Sequence, residues 1–221
     1  MNKLKKIDPG IYQFPVILPA KLESKQVYFK NLFIEAQKQL RIFAEQYKWK
    51  HLTNKPFIER AEIFDSQQDL KGRICEILDI STGTKFPEAF SACLEEKIFL
   101  SITPDLYHRI YPQGREKDDF LKLIIHEMAH RLHIRILEDN EEKMGPIWFF
   151  EAFAIFASDQ FSNYKLTKSE IQAIIHKSER GSYQKYGDVI RYLLKKCSLH
   201  ELIKKAADRD FIEWLEINCF S

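Results

Sequence analysis

Apolar side chains recur every three or four positions between residues 24 and 49, with Lys, Gln and Glu between them. This spacing predicts a long helix that packs one face against a protein core. The apolar face consists of Phe29, Leu32, Phe33, Ala36, Leu40, Phe43 and Tyr47. Residues 1–22 precede this helix and contain several prolines and a glycine, so we expect an extended segment that lies against the rest of the protein.

Two short segments have the composition of β-strands. Residues 55–66, "KPFIERAEIFDS", and residues 95–103, "EEKIFLSIT", are rich in Phe and Ile, and Pro104 ends the second. Residues 67–79, "QQDLKGRICEILD", predict a short helix between them.

Longer helical patterns follow these strands. "DDFLKLIIHEMAHRLHIRIL" predicts a helix that Asp118 or Asp119 can cap, and "IWFFEAFAIFASDQF" predicts the next one. Two Ser/Thr-x-x-Glu capping boxes mark later helix starts, "TKSE" at 167–170 and "SLHE" at 198–201. Because the strands come early and most helices late, we predict an α+β fold with a small mixed sheet.

No linker divides the chain, so we expect an extended N-terminal segment, 1–22, followed by a single domain, 23–221. That domain comprises an N-terminal helix and sheet (23–117), a helix with three histidines (118–137), a second apolar helix (147–161) and C-terminal helices (167–218).

The composition, with 45% hydrophobic and 13% aromatic residues, is that of an ordered protein. The formal net charge is +2, from 34 basic and 32 acidic residues that are scattered along the chain, which gives no support for a nucleic-acid partner. No apolar run has the length of a signal peptide or a membrane span, so we expect a cytoplasmic protein without a membrane partner. The absence of a Cys-x-x-Cys pair predicts buried free thiols at Cys75, Cys93, Cys197 and Cys219.

Residues 124–133, "IIHEMAHRLH", place three histidines and a glutamate in one predicted helix. His126 and His130 are separated by about 6 Å along the helix axis and about 40° around it. Both imidazoles therefore project from one face, where they can hold a single zinc ion. Glu127 can reach a water on that ion without being a ligand. This is the His-Glu-x-x-His arrangement, in which zinc acidifies the water and the glutamate takes its proton.

Two other interpretations of this segment are available. The two histidines could form hydrogen bonds in the core of the protein without a metal. A di-iron site would require a second Glu-x-x-His motif, and no other glutamate in the chain has a histidine three residues later.

A catalytic zinc needs a third protein ligand and one position for water. His133 lies about 10 Å along the axis from His126, which is too far to share the ion. We therefore expect it to contact one of the metal-binding side chains, to line the groove or to be exposed. Glu151 lies in the apolar segment "IWFFEAFAIFA", where a metal would explain a carboxylate that is otherwise costly to bury. We rank Glu151 above the acidic loop residues, which suit a solvated turn: Glu138, Asp139, Glu141 and Glu142.

The His-Glu-x-x-His motif, followed by a second helix with "WFFEAFA", resembles the gluzincins, the zinc peptidase clan that includes thermolysin. The 20 residues between His130 and Glu151 are close to the usual separation in that clan. The resemblance implies a zincin-like fold and one zinc ion held by His126, His130 and Glu151. It also implies that Glu127 acts as general base and acid.

Two other segments are similar to parts of gluzincin-like domains. "KIFLSI" is similar to the edge strand along which an extended substrate lies. "YQKYGDVIRYLL" at 183–194 is similar to a downstream helix whose first tyrosine stabilises the oxyanion. Tyr183 is then the expected residue and Tyr186 the alternative, beside the interpretation that both tyrosines only pack.

The chain departs from this clan at several positions. Ala152 replaces a frequent glycine, and Ile155 replaces the aspartate that orients a ligand histidine in thermolysin-like members, so that partner must lie elsewhere. The metzincin motif would need glycine at 133 and histidine at 136, where this chain has His133 and Ile136. No segment similar to Gly-Ala-Met-Glu-Asn precedes the motif, so aminopeptidase activity is not expected.

The resemblance implies a zinc endopeptidase with a peptide or protein substrate and no cofactor besides the metal. The alternative is a binding or regulatory protein on the same fold that keeps the metal without catalysis. An open channel at the metal would favour the enzyme, because structural metal sites are closed.

Overall fold

The sheets and helices of the protein are seen in a computed structural model, which describes residues 4–177 and 183–220. The strands are β1 (Lys5–Asp8), β2 (Ile11–Gln13), β3 (Val16–Ile17), β4 (Arg60–Phe64), β5 (Ala92–Glu95) and β6 (Ile98–Ile102). The α-helices are α1 (Gln26–Gln46), α2 (Gln67–Leu78), α3 (Pro104–Ile110), α4 (Asp119–Ile136), α5 (Ile147–Ala157), α6 (Lys168–Ile175), α7 (Tyr186–Leu193), α8 (Leu199–Lys205) and α9 (Phe211–Cys219). The predicted α+β class is confirmed.

The main sheet is mixed and has the strand order β3-β4-β6-β5. Strands β3, β4 and β6 are parallel, and β5 runs antiparallel to β6. The prediction that "KIFLSI" forms the edge strand is wrong, because β6 pairs with a strand on each side. The edge strands are β3 and β5, and β5, which was not predicted as a strand, is the edge beside β6.

A tight turn explains why β5 was missed. Glu96 and Lys97 connect β5 to β6, and both have positive φ angles, 46° and 64°. Turns of this kind usually carry asparagine, aspartate or glycine. Because Glu and Lys give no such indication, "ACLEEKIFLSI" does not look like a hairpin.

The N-terminal segment is extended in its strands, turns at Pro9 and Gly10, and enters a 3-10 helix (Ala20–Lys25) before α1, and it contributes to the sheets. Strands β1 and β2 form a hairpin, and β3 pairs with β4. Ile11, Phe14 and Val16 are buried. The segment is therefore part of the packed structure.

Helix α4 is the central helix of the later part of the chain and packs against both α1 and α5. Ile124, Met128 and Leu132 recur on its core face and are fully buried. Asp118 occupies the position before the helix in a left-handed conformation, without a side-chain cap hydrogen bond. Of the two predicted candidates, it is Asp119 whose Oδ1 accepts a hydrogen bond from a first-turn N–H, that of Phe120, at 2.7 Å. Asp119 is buried and lies 2.7 Å from Nε2 of His108.

The remaining helix predictions are largely confirmed. Both capping boxes are formed, at the start of α6 by Thr167 and Glu170 and at the start of α8 by Ser198 and Glu201. Helix α5 begins after Pro146 as expected but ends at Ala157, earlier than predicted.

Two further findings concern the thiols and the membrane. All four cysteines are free, with Cys75 and Cys219 buried and Cys93 and Cys197 half-buried. Among the helices in the described parts of the chain, none has the length and apolar character needed to cross a bilayer.

The packing of α7 on α5 generates a prediction about Gly187. A Cβ atom at this glycine would lie 2.7 Å from Cγ2 of Ile155, a fully buried side chain. We expect Gly187→Ala to lower the free energy of unfolding by about 1–3 kcal/mol, because overpacking forces the two helices apart. Urea unfolding measures the change.

Gly72 provides the matched control, because it also lies in a helix but has no atom within 4 Å of its added Cβ. Gly72→Ala is expected to stabilise the protein by about 0.5–1 kcal/mol through helix propensity alone. Equal effects of the two substitutions would contradict the close approach of α7 to α5.

Candidate metal centre

Helix α4 presents the first two polar side chains of the site. His126 is buried and His130 is half-buried, and their Nε2 atoms lie 3.0 Å apart. The four-residue spacing places both imidazoles on one face of the helix, as predicted. The two nitrogen atoms therefore point to the same place.

Helix α5 brings a carboxylate to that place. Glu151 is 4% exposed, and its Oε2 lies 3.4 Å from Nε2 of His126 and 3.6 Å from Nε2 of His130. The next four residues of α5 are fully buried, so this carboxylate is enclosed by an apolar helix.

The three side chains are close enough to hold one metal ion. Their candidate ligand atoms all lie within 4.8 Å of one another. A tetrahedral ion with bonds of about 2.0–2.1 Å has ligand atoms about 3.3 Å apart, which agrees with the observed separations of 3.0, 3.4 and 3.6 Å. Two imidazole nitrogens and one carboxylate oxygen are also a donor set that suits zinc.

The electrostatic environment keeps Glu151 in the form that binds cations. Burial acts to raise the pKa of its carboxyl, but contacts with His126 and His130 outweigh burial and hold this pKa well below its usual value. The carboxylate is therefore ionised at neutral pH.

The acidic residues of the α4–α5 loop do not join this cluster. Glu138 and Asp139 are exposed, and Glu141 forms an ion pair of 2.9 Å with Arg131. This arrangement agrees with the interpretation of the loop as a solvated turn.

His133 does not line the groove and is not exposed, so these two interpretations are wrong. Its side chain is fully buried and stacks on Phe153 of α5 with 4.5 Å between ring centroids. Burial, followed by the charge of His130, lowers the pKa of His133 to about 3, so the ring is neutral. Helix α5 crosses α4 here and covers this later turn.

A cleft of about 360 Å³ opens beside the three candidate ligands. Glu127 and Tyr183 line it together with His126, His130 and Glu151. The hydroxyl of Tyr183 lies 2.8 Å from Nε2 of His126. The structure therefore brings together every site residue that the sequence predicted.

Tyr186, the alternative to Tyr183, is 2% exposed and is not among the residues that line the cleft. Ile155, at the position where a polar partner of a ligand histidine was missing, packs against Gly187 instead. The hydroxyl of Tyr183 lies at Nε2 of His126, the nitrogen that would bind the metal, so it does not replace a partner that orients the imidazole through its other nitrogen.

The cleft also contains residues that the sequence analysis missed. Ala92 and Cys93 of β5 line it, as do Tyr107, Tyr111 and Gln160. Burial raises the pKa of the Cys93 thiol, and the charge of Glu127 raises it further, so Cys93 is a protonated wall residue and a poor nucleophile. Ala92 and Cys93 could be recognised only from the position of β5, and the other three only from the packing of the elements around the cleft.

Comparisons with protein-family models, with curated proteins and with solved structures found no match. The resemblance to gluzincins therefore remains an expectation from the sequence motifs.

Removal of the carboxylate should weaken metal binding. We expect Glu151→Gln to lower zinc affinity by more than the roughly 10–100-fold effect of removing a hydrogen-bond partner of a ligand. Competition with a chromophoric chelator measures the affinity. His133→Leu is the control on the same site helix, and it should bind zinc as the wild type does, because His133 lies outside the cluster. Undiminished binding by Glu151→Gln would contradict the assignment of this ligand.

Proposed function

We propose that the protein is a zinc-dependent hydrolase of the gluzincin type that cleaves peptide bonds. The observation that carries this proposal is the convergence of His126, His130 and Glu151 at an open cleft that Glu127 also lines. A structural metal site would be closed by protein ligands, so the open cleft favours catalysis over a metal that only stabilises the fold.

His126, His130 and Glu151 would hold the ion. Zinc, when bound there, would act as a Lewis acid on a substrate carbonyl and make water a better nucleophile at neutral pH. The chain supplies the remaining groups of the reaction.

Glu127 is the proposed general base and acid. It belongs to α4, next to His126, and is only partly buried, so its carboxylate is accessible from the cleft. In the proposed reaction it takes a proton from the attacking water. It then gives that proton to the leaving nitrogen when the carbon–nitrogen bond breaks.

Tyr183 is the proposed hydrogen-bond donor to the carbonyl oxygen of the substrate. Its hydroxyl lies at the imidazole of His126, beside the place where the reacting carbonyl would bind. Negative charge develops on that oxygen during attack by water, and a positioned phenol stabilises it.

A peptide substrate is supported by the edge strand of the sheet. Ala92 and Cys93 of β5 line the cleft that contains the candidate ligands. An exposed strand edge can bind an extended peptide through main-chain hydrogen bonds.

Glu127→Gln should keep the metal and lose the reaction. The substitution preserves the shape of the side chain but removes its ability to accept a proton, so we expect kcat for peptide hydrolysis to fall by about 10²–10⁴-fold. Turnover of an internally quenched peptide library and zinc content are measured on the same preparation. Retained turnover at full zinc occupancy would refute the role of Glu127.

Tyr183→Phe should lower kcat by about 10²–10³-fold while KM changes little, because the hydroxyl acts mainly on charge that forms in the transition state. Tyr186→Phe is the matched control at a buried tyrosine outside the cleft and should keep the wild-type kcat. Similar kinetics of the two variants would show that the phenol of Tyr183 only packs.

A further inference from the structure

The free edge of β5 is interrupted beside the candidate metal centre. The carbonyl of Ser91 accepts a hydrogen bond from the N–H of Ile102 at 3.0 Å, so Ser91 faces β6. In an antiparallel pair the backbone groups alternate in direction. The N–H and C=O groups of Ala92 and Leu94 therefore point away from β6, towards the open edge.

Arg131 occupies this edge at Leu94. Its Nη2 and Nε atoms donate to the carbonyl oxygen of Leu94 at 2.6 and 3.0 Å. The same guanidinium forms ion pairs with Glu95 at 3.0 Å and with Glu141 at 2.9 Å. Arg131 directly follows the candidate ligand His130 in α4. The guanidinium that covers the strand edge is therefore anchored beside the candidate metal centre.

At Ala92, two residues before Leu94, Arg131 does not cover the backbone of the edge. Ala92 lines the metal cleft, and neither its N–H nor its C=O forms a backbone hydrogen bond outside the regular elements of the described chain. A strand that adds to β5 would pair at Ala92 and would next reach Leu94. The guanidinium of Arg131 lies where that next residue would bind.

At its other end the described residues leave further space beside the cleft. A second cavity of about 730 Å³ adjoins it and shares Ala89, Tyr111 and Tyr183 with it. Arg109 and Glu88 also line this second cavity. The cleft is therefore closed at Leu94 and continuous with further space beyond Ala89.

From this asymmetry we propose that the cleft takes the end of a peptide chain. One terminus lies against Arg131, one residue pairs with Ala92, and the rest of the peptide runs towards Tyr111 and Arg109. The substrates are short peptides or exposed chain termini, and internal segments of long chains are excluded. This inference rests on the proposed peptide hydrolysis and replaces the expectation of an endopeptidase with a preference for chain ends.

Mass spectrometry of products from randomised dodecapeptides tests the inference. The zinc-loaded wild type should cut bonds close to one terminus. Arg131→Ala exposes the carbonyl of Leu94, so a peptide can pair there without displacing the charge-assisted hydrogen bond of Arg131. Internal bonds should then be cut about tenfold more often relative to terminal ones. Wild-type cleavage spread along the chain, or an unchanged pattern in Arg131→Ala, would overturn the inference.

Arg135→Ala is the matched control. Arg135 lies one turn later in α4 and also donates to backbone carbonyls, those of Leu52, Lys55 and Pro56, away from β5. It should keep the wild-type cleavage pattern. If Arg131→Ala fails to fold, Arg131→Lys keeps the charge but loses the two-nitrogen contact, and an intermediate pattern is expected from it.

A binding assay separates this inference from the proposed catalysis. The Glu127→Gln variant, loaded with zinc, is mixed with randomised hexapeptides or with the same peptides flanked at both ends by Gly-Ser segments. The variant should bind the free hexapeptides about tenfold more tightly than the flanked ones. The double variant Glu127→Gln/Arg131→Ala should bind both libraries equally. This result without wild-type turnover would support chain-end binding and refute hydrolysis. Turnover with equal retention of both libraries would support hydrolysis and refute chain-end binding.

Discussion

The contact between the buried carboxylate of Glu151 and the imidazoles of His126 and His130 is the interaction on which the candidate site depends. A carboxylate enclosed by an apolar helix destabilises a protein unless charge and hydrogen bonds compensate it. The two histidines of α4 supply that compensation, and a bound cation would increase it. The same contact between Glu151 and the two histidines therefore joins α5 to α4 and supplies the donor atoms for a metal.

The neighbouring elements are placed by this helix pair. Helix α7 approaches α5 at Gly187, where a side chain would meet Ile155, and the turn before α7 puts the hydroxyl of Tyr183 at His126. On the other side, Arg131 ties α4 to the edge strand through the carbonyl of Leu94. Helices α3, α4 and α5 and strand β5 all contribute residues to the cleft, and the contacts of α4 position several of these elements.

The three candidate ligands could be predicted from the sequence. The four-residue spacing of two histidines fixes their common face on any α-helix, and a lone carboxylate in "IWFFEAFAIFA" requires a compensating partner. Tyr183 was reached only through the resemblance to gluzincins, since spacing alone could not distinguish it from Tyr186.

Features that depend on tertiary packing could not be predicted in the same way. Periodicity places His133 on nearly the same face as His126, but only the crossing of α5 shows that Phe153 covers it. Strand β5 was missed because its turn consists of Glu96 and Lys97, residues that rarely adopt positive φ. The role of Arg131 at the sheet edge depends on β5 and was missed with it.

X-ray absorption at the zinc edge of the loaded protein tests the assigned metal centre most directly. The proposed zinc centre predicts one ion per chain with nitrogen and oxygen ligands at about 2.0–2.2 Å, of which two are imidazoles. A sulfur ligand at about 2.3 Å would assign the metal to cysteines instead. That result, or zinc bound in less than stoichiometric amounts, would contradict the centre formed by His126, His130 and Glu151.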